Sequence, residues 1–292
     1  VYALSSLCTA VVFWAALKWQ STKDASSANR WLVFIAYIIG LSIGIHLLSL
    51  LAIPAIVLLW YFKNTSKVTR KGVLLAILSG CAILALVQYG VVQFLVLLAF
   101  QSDLFFVNTL NFGFGSGVLI FILLVMTSMA VAIFYSHRKH NAGLNLALLC
   151  FSFVLFGFTS YAMITIRANA KTNINISNPD NSYSLLRYLG REQYAQAPLV
   201  QGPYFDSRVV GTKADKMTYR KGANGYEEAG ATRQYEYDRN SLFPRIYSDE
   251  PSDVDFYRRW LGLGESSTPT FAHNISFFGS YQLGFMYMRY FL

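Results

Sequence analysis

Hydrophobic and polar positions alternate in long blocks, not with the short periods of a soluble domain. The widest apolar block is Trp31–Phe62, 32 residues without Asp, Glu, Lys or Arg. As one helix it would rise about 48 Å, whereas a bilayer core is crossed by roughly 20 residues. Gly40, Gly44, His46 and Pro54 interrupt it. Further apolar blocks cover 72–100, 118–135 and 144–166, and residues 1–19 form another. Blocks of this length predict spans at about 1–19, 31–45, 47–62, 72–100, 118–135 and 144–166. The expected fold is mainly α: a polytopic membrane helix bundle over 1–166, followed by a mixed α/β domain over 167–276. An aromatic segment, 277–292, lies in the membrane interface or begins another span.

Charge sharpens this picture. The chain is 54% apolar and 13% charged, about half the usual share of charge for a soluble domain. Residues 1–166 carry nine Lys and Arg against Asp24 and Asp103, a net +7, and the rest carries only +2. The basic excess is therefore a topology signal and not a nucleic-acid footprint. The basic segments 63–71 and 137–140 predict the cytoplasmic side. The loop read at 101–117 has no Lys or Arg and predicts the opposite, outer side, together with everything after Ile166. The loop read at 20–30 is basic too, so both flanks of Trp31–Phe62 fall on one side. A single crossing helix cannot do that. The block is expected to double back near Gly40–Leu48 and to place His46 near the outer face.

Such a turn leaves backbone groups unpaired in lipid unless protein or a watery cavity covers it. His46 is then either a hydrogen bond between helices or a polar group on a cavity wall. In the loop at 101–117, Asp103 and Asn108 are the polar candidates beside four phenylalanines. Arg167 follows the last span on the outer side, where it either snorkels or grips a lipid phosphate. Cys8, Cys81 and Cys150 lie in apolar blocks without metal spacing, so they read as packing, and no metal site is expected. Later, 184–194 reads as a short helix, 199–204 as a strand, 219–237 as a hairpin and 251–260 as a helix. The chain begins at Val1 inside an apolar run and ends abruptly at Leu292, which reads as a piece of a longer protein.

Four strings carry a family likeness: SIGIHLLSLLAIPAI at 42–56, NPDNSYSLLRYLGREQY at 178–194, LFPRIYS at 242–248 and PTFAHNISFFGSYQLGFMYMRYF at 269–291. They resemble a bacterial membrane family long described as a domain of unknown function. That family is similar to the protein O-mannosyltransferases of the GT-C class, including a eukaryotic transmembrane O-mannosyltransferase. The resemblance implies a partial GT-C-like fold in the bacterial inner membrane, with 167–276 extracytoplasmic. It also implies transfer of a sugar, mannose foremost, from a polyprenyl-phosphate donor to protein hydroxyls. The implied partners are membrane lipid, the donor and an acceptor protein, with no cofactor. The catalytic acid of such enzymes sits in a first outer loop that would precede Val1, so no catalytic residue is expected in this segment. His46, Asp103, Asn108 and Arg167 are expected to line the donor site. A lipid-handling transporter and a non-enzymatic membrane assembly protein are the competing readings. The first would show internal repeats and midplane charges, and neither is seen in the sequence.

Overall fold

The computed structural model describes residues 1–192, 194 and 197–291, and divides into two compact units. The first comprises Val1–Gln193 together with Lys221–Tyr226; the second comprises Tyr194–Arg220 and Glu227–Leu292.

The first unit is helical. Helices α1 (Tyr2–Ser21), α2 (Ala25–Ile43) and α3 (Ala52–Asn64) form its beginning. Asp24 caps α2 by accepting from Ser27 N at 2.7 Å. That bond holds the Asp24 carboxyl below its ordinary pKa. The apolar block breaks after Gly44. His46 is extended there, and its Nδ1 accepts from Leu48 N at 3.0 Å, capping a 3₁₀ turn over Leu47–Leu51. Pro54 falls in the first turn of α3, where its missing N–H leaves no gap in the ladder.

The block does double back. Lys63, at the end of α3, donates from Nζ to the carbonyls of Trp19 and Thr22, the latter at 3.1 Å, and lies over the Trp19 ring. At the other end Ser5 of α1 and Ser49 share a hydrogen bond of 3.1 Å. The flanks of Trp31–Phe62 therefore meet at one end of the unit and the turn lies at the other. The connecting segment before α2 is only Thr22–Asp24, because α2 already begins at Ala25.

Thr69 caps α4 (Arg70–Ala85), which widens to π-type turns over Leu86–Phe94 and runs on as α5 (Leu95–Asn108). The result is one continuous helix of 39 residues. The expected loop at 101–117 shrinks accordingly to Thr109–Gly115. Gln101, Ser102, Asp103 and Asn108 are helical, because Leu104, Phe105, Phe106 and Val107 carry the apolar pattern on past the polar residues. α6 (Ser116–Arg138) and α7 (Ala142–Phe158) follow, α7 capped by Asn141. After one 3₁₀ turn comes α8 (Ala162–Asn169), and later α9 (Ser182–Leu189) with an Asn181/Ser184 capping box.

The core of this unit lies among Val12, Ala16, Ile35, Ile39, Ile43, Leu50, Ile53 and Val92. α2 and α7 cross closely: a Cβ on Gly157 would run into the Leu41 nitrogen and the Tyr37 carbonyl, and one on Gly40 into the Val154 backbone. Small residues at such crossings let helices meet where lipid supplies no hydrophobic drive. Outside the core the surface is apolar. Leu119, Leu123, Leu124, Met126 and Val131 on α6 are all exposed. Water would not tolerate so large an apolar belt. Six helical segments are long and apolar enough to cross a membrane, and the chain is a membrane protein.

The second unit is mixed. β1 (Gln201–Pro203) pairs antiparallel with β4 (Asn240–Leu242) in the register Gln201↔Leu242. β2 (Val209–Lys221) and β3 (Tyr226–Tyr237) form a separate two-stranded hairpin, longer than the segment 219–237 expected from the sequence. The tip of this hairpin, residues 221–226, belongs to the first unit. α10 (Pro251–Leu261) and α11 (Phe271–Phe277) close the unit, and helical turns of π and 3₁₀ type continue from α11 to Tyr290. Phe205, Ile246, Tyr257 and Phe277 form its core. Asn274 is fully buried there and accepts from Arg245 N and Ile246 N at 2.6 and 3.0 Å.

Candidate functional site

Asp103 is the hub of the first unit's end opposite Lys63 and the 137–140 turn. It is 1% exposed, and both carboxylate oxygens are occupied. Oδ1 accepts from Gly115 N at 2.9 Å and from Gly117 N at 3.1 Å. Oδ2 accepts from Tyr226 Oη at 2.8 Å and from Ser182 Oγ at 3.3 Å. Each donor has a local reason to be there. Gly115 takes φ 86°, a left-handed conformation that suits glycine and turns the chain into α6. Gly117 approaches so closely that a Cβ would collide with Asp103 Cα and the Ser102 carbonyl. Ser182 opens α9, held by the Asn181 cap.

Asn108, 118 residues from Tyr226, grips the backbone of the same residue. Its Nδ2 donates to Tyr226 O at 2.7 Å and its Oδ1 accepts from Tyr226 N at 2.8 Å. The two bonds imitate one rung of a β-ladder. The Tyr226 ring stands edge-on to Phe100 and Phe114, at 5.5 and 5.1 Å. Burial pushes the Tyr226 phenol well above its ordinary pKa, and the Asp103 carboxylate adds to the shift. Asp103 and Asn108 are thus drawn together, and what they hold is the hairpin tip.

His46 has different neighbours. Its ring lies 5.3 Å from that of Tyr2, centroid to centroid. Because Nδ1 accepts from Leu48 N, the neutral imidazole carries its proton on Nε2, as assigned from this bond. A Cβ at Gly44 would meet the Ser160 hydroxyl, which is buried and has no hydrogen-bond partner among the described residues. The turn therefore gathers an N–H donor and an unsatisfied hydroxyl. Arg167 on α8 is exposed, and among the described residues its guanidinium makes no hydrogen bond or ion pair. No hydrogen bond or ring contact joins His46 or Arg167 to Asp103 among the described residues. Three or more His, Cys, Asp or Glu side chains suited to a metal do not gather among them either.

Sequence reasoning missed Tyr226, Ser182 and Ser160. Only Ser182 had a signal, the Asn-Pro-Asp-Asn-Ser cap string; Tyr226 is one tyrosine among 19.

Residues 1–69 match the family model described as Protein O-mannosyl-transferase TMEM260 N-terminal domain. The resemblance to O-mannosyltransferases thus rests on α1, α2, α3 and the turn between α2 and α3. His46 lies inside the matched stretch; Asp103, Asn108 and Arg167 lie outside it. Residues 195–279, most of the second unit, match a family of unknown function, DUF8416. No curated protein and no solved structure matches the chain.

Proposed function

We propose that this chain is part of a membrane glycosyltransferase of the GT-C type. It transfers a sugar, mannose foremost, from a polyprenyl-phosphate donor to hydroxyls of an acceptor protein. The observation that carries the reading is the match of residues 1–69 to the TMEM260 O-mannosyltransferase domain. The doubled-back helix lies within that match and supports the same reading.

The proposed orientation follows from charge. The basic residues Lys18, Lys23, Arg30, Lys63 and Arg138 all fall at the end opposite His46 and Asp103. By the positive-inside rule the basic end faces the cytoplasm. The His46 turn, Arg167 and the second unit then face outward, across the inner membrane of a bacterium.

In this reading a carboxylate outside the present segment deprotonates the acceptor hydroxyl. The hydroxyl oxygen attacks the anomeric carbon, and polyprenyl phosphate departs with the bonding electrons. The departing phosphate gains negative charge, which a fixed donor or cation stabilises. The Nε2–H of His46 and Arg167, which has no partner among the described residues, supply those groups. Asp103 and Asn108 hold the wall of the site by fixing the hairpin tip.

The test is transfer of labelled mannose from polyprenyl-phosphate mannose by the full-length protein in nanodiscs. Wild type should label an acceptor peptide. Arg167→Ala should lower the rate at least tenfold, since a lost transition-state donor costs about 10²–10³ in rate. No transfer by the wild type, or an unchanged rate for Arg167→Ala, would remove the reaction or that residue respectively.

A further inference from the structure

The basic end of the first unit holds an open cavity of about 750 Å³ between α2, α7 and the α6–α7 turn. Arg30, His137 and His140 stand at its rim, with Asn29, Asn141 and Asn145 beside them. Val33, Leu149 and Phe153 form the apolar wall on α2 and α7. The volume is that of an ordinary ligand site.

The rim is available for a ligand. Among the described residues the Arg30 guanidinium makes no hydrogen bond, and Asp24 is the acid whose pKa it helps to lower. Asp24 is itself engaged by Ser27 N. The side chains of His137 and His140 make no hydrogen bond or ion pair among the described residues. Nine Lys and Arg face this single acid at this end of the unit, so its potential is strongly positive. Nearby, Asn145 donates to Ile133 O and Ser136 Oγ at 3.2 and 2.9 Å, which ties α7 to α6 beside the cavity.

A cationic rim above an apolar wall fits a molecule with one phosphate and an attached hydrocarbon chain. The geometry points to a binding site for an anionic phospholipid: its phosphate on Arg30, His137 and His140, its acyl chain along Val33, Leu149 and Phe153. Free phosphate would satisfy the rim and leave the apolar wall wet. The site lies at the opposite end of the helices from His46, so it is separate from the proposed transfer chemistry and stands without it.

The test uses full-length protein in detergent and native mass spectrometry, with phosphatidylglycerol, phosphatidylcholine or inorganic phosphate added in turn. Wild type should retain phosphatidylglycerol in preference to the other two. Arg30→Gln should weaken that retention about fivefold, the effect of one cation near an anionic headgroup. The double variant His137→Ala/His140→Ala should weaken it too. Leu149→Trp, which fills the wall without changing charge, should block retention. Arg70→Gln, a cation of the same end outside the cavity, should leave it unchanged. Equal retention of both lipids, or equal loss with Arg70→Gln, would overturn the site. Inorganic phosphate displacing the lipid at equal concentration would overturn the lipid assignment.

Discussion

Tyr226 Oη donates to Asp103 Oδ2 across 2.8 Å, although 123 residues separate the two. The bond ties the tip of the β2–β3 hairpin to the last turns of the longest helix. Removing the hydroxyl with Tyr226→Phe leaves the ring contacts in place and takes one donor from a buried carboxylate. A loss of about 1–3 kcal/mol in local stability is expected. Asp103→Ala should do more, because the Gly115 and Gly117 N–H groups lose their acceptor as well. Amide hydrogen exchange of residues 222–226 and 113–117 reads both: faster exchange in the order wild type, Tyr226→Phe, Asp103→Ala is the expected result.

Burial of the Tyr226 phenol, with the Asp103 carboxylate adding to it, makes the tip sensitive to alkali. The folded-state pKa of Tyr226 is raised above its ordinary value of 10.0. Its contribution to stability is therefore whole below pH 10 and is lost as pH rises toward the folded value, because the unfolded chain releases its proton first. Exchange at the tip should accelerate above pH 10 in wild type beyond the intrinsic chemical rate, and Tyr226→Phe should lack that extra acceleration.

The α2–α7 crossing should be intolerant of bulk. Gly157→Ala places a methyl against the backbone of Leu41 and Tyr37, which cannot swing aside as a side chain does. Separation of the helices should cost about 1–3 kcal/mol, seen as a lower melting temperature in detergent. Gly279→Ala, where a Cβ meets nothing within 4 Å, is the matched control and should melt close to wild type.

At His46, structure and chemistry can be separated. His46→Ala removes the acceptor for Leu48 N and should destabilise the turn by about 1 kcal/mol. His46→Asn restores an oxygen that can cap the turn and does not restore the Nε2–H donor. Melting should therefore recover in His46→Asn. Sugar transfer should stay reduced in both variants. Recovery of transfer along with melting would make His46 a cap and nothing more.

The helical unit was legible where long-range chemistry could be reduced to charge and length. Lys23, Arg30 and Lys63 on both sides of an uncharged block were enough to require that Trp31–Phe62 return to its starting side, and Lys63 indeed bonds to Thr22. Boundaries were less legible. Gln101, Ser102 and Asp103 look like the start of a loop, yet the ladder runs on to Asn108, because Leu104, Phe105, Phe106 and Val107 carry the apolar pattern past them and Asp103 finds its partners within the fold. The clasping role of Asp103 was hidden as well. Its donors are two backbone N–H groups, a serine and a tyrosine from distant parts of the chain, and no local pattern records such a meeting. His46 stood out because it is the sole histidine in a block without Asp, Glu, Lys or Arg, while the Ser160 hydroxyl beside its turn resembles any serine in a helix.

The unbroken helix from Arg70 to Asn108 also fixes a height. About 50 Å of axial rise separates Arg70 from Asp103, against a hydrocarbon thickness of roughly 30 Å. With Arg70 at one edge of that layer, the helix is a mast long enough to lift the carboxylate that clasps the hairpin tip past the other edge. Its elevation depends on peptide geometry and not on lipid. A cell that lengthens or shortens its fatty acids would move the waterline along this mast while leaving the clasp and everything fastened to it in the same internal register.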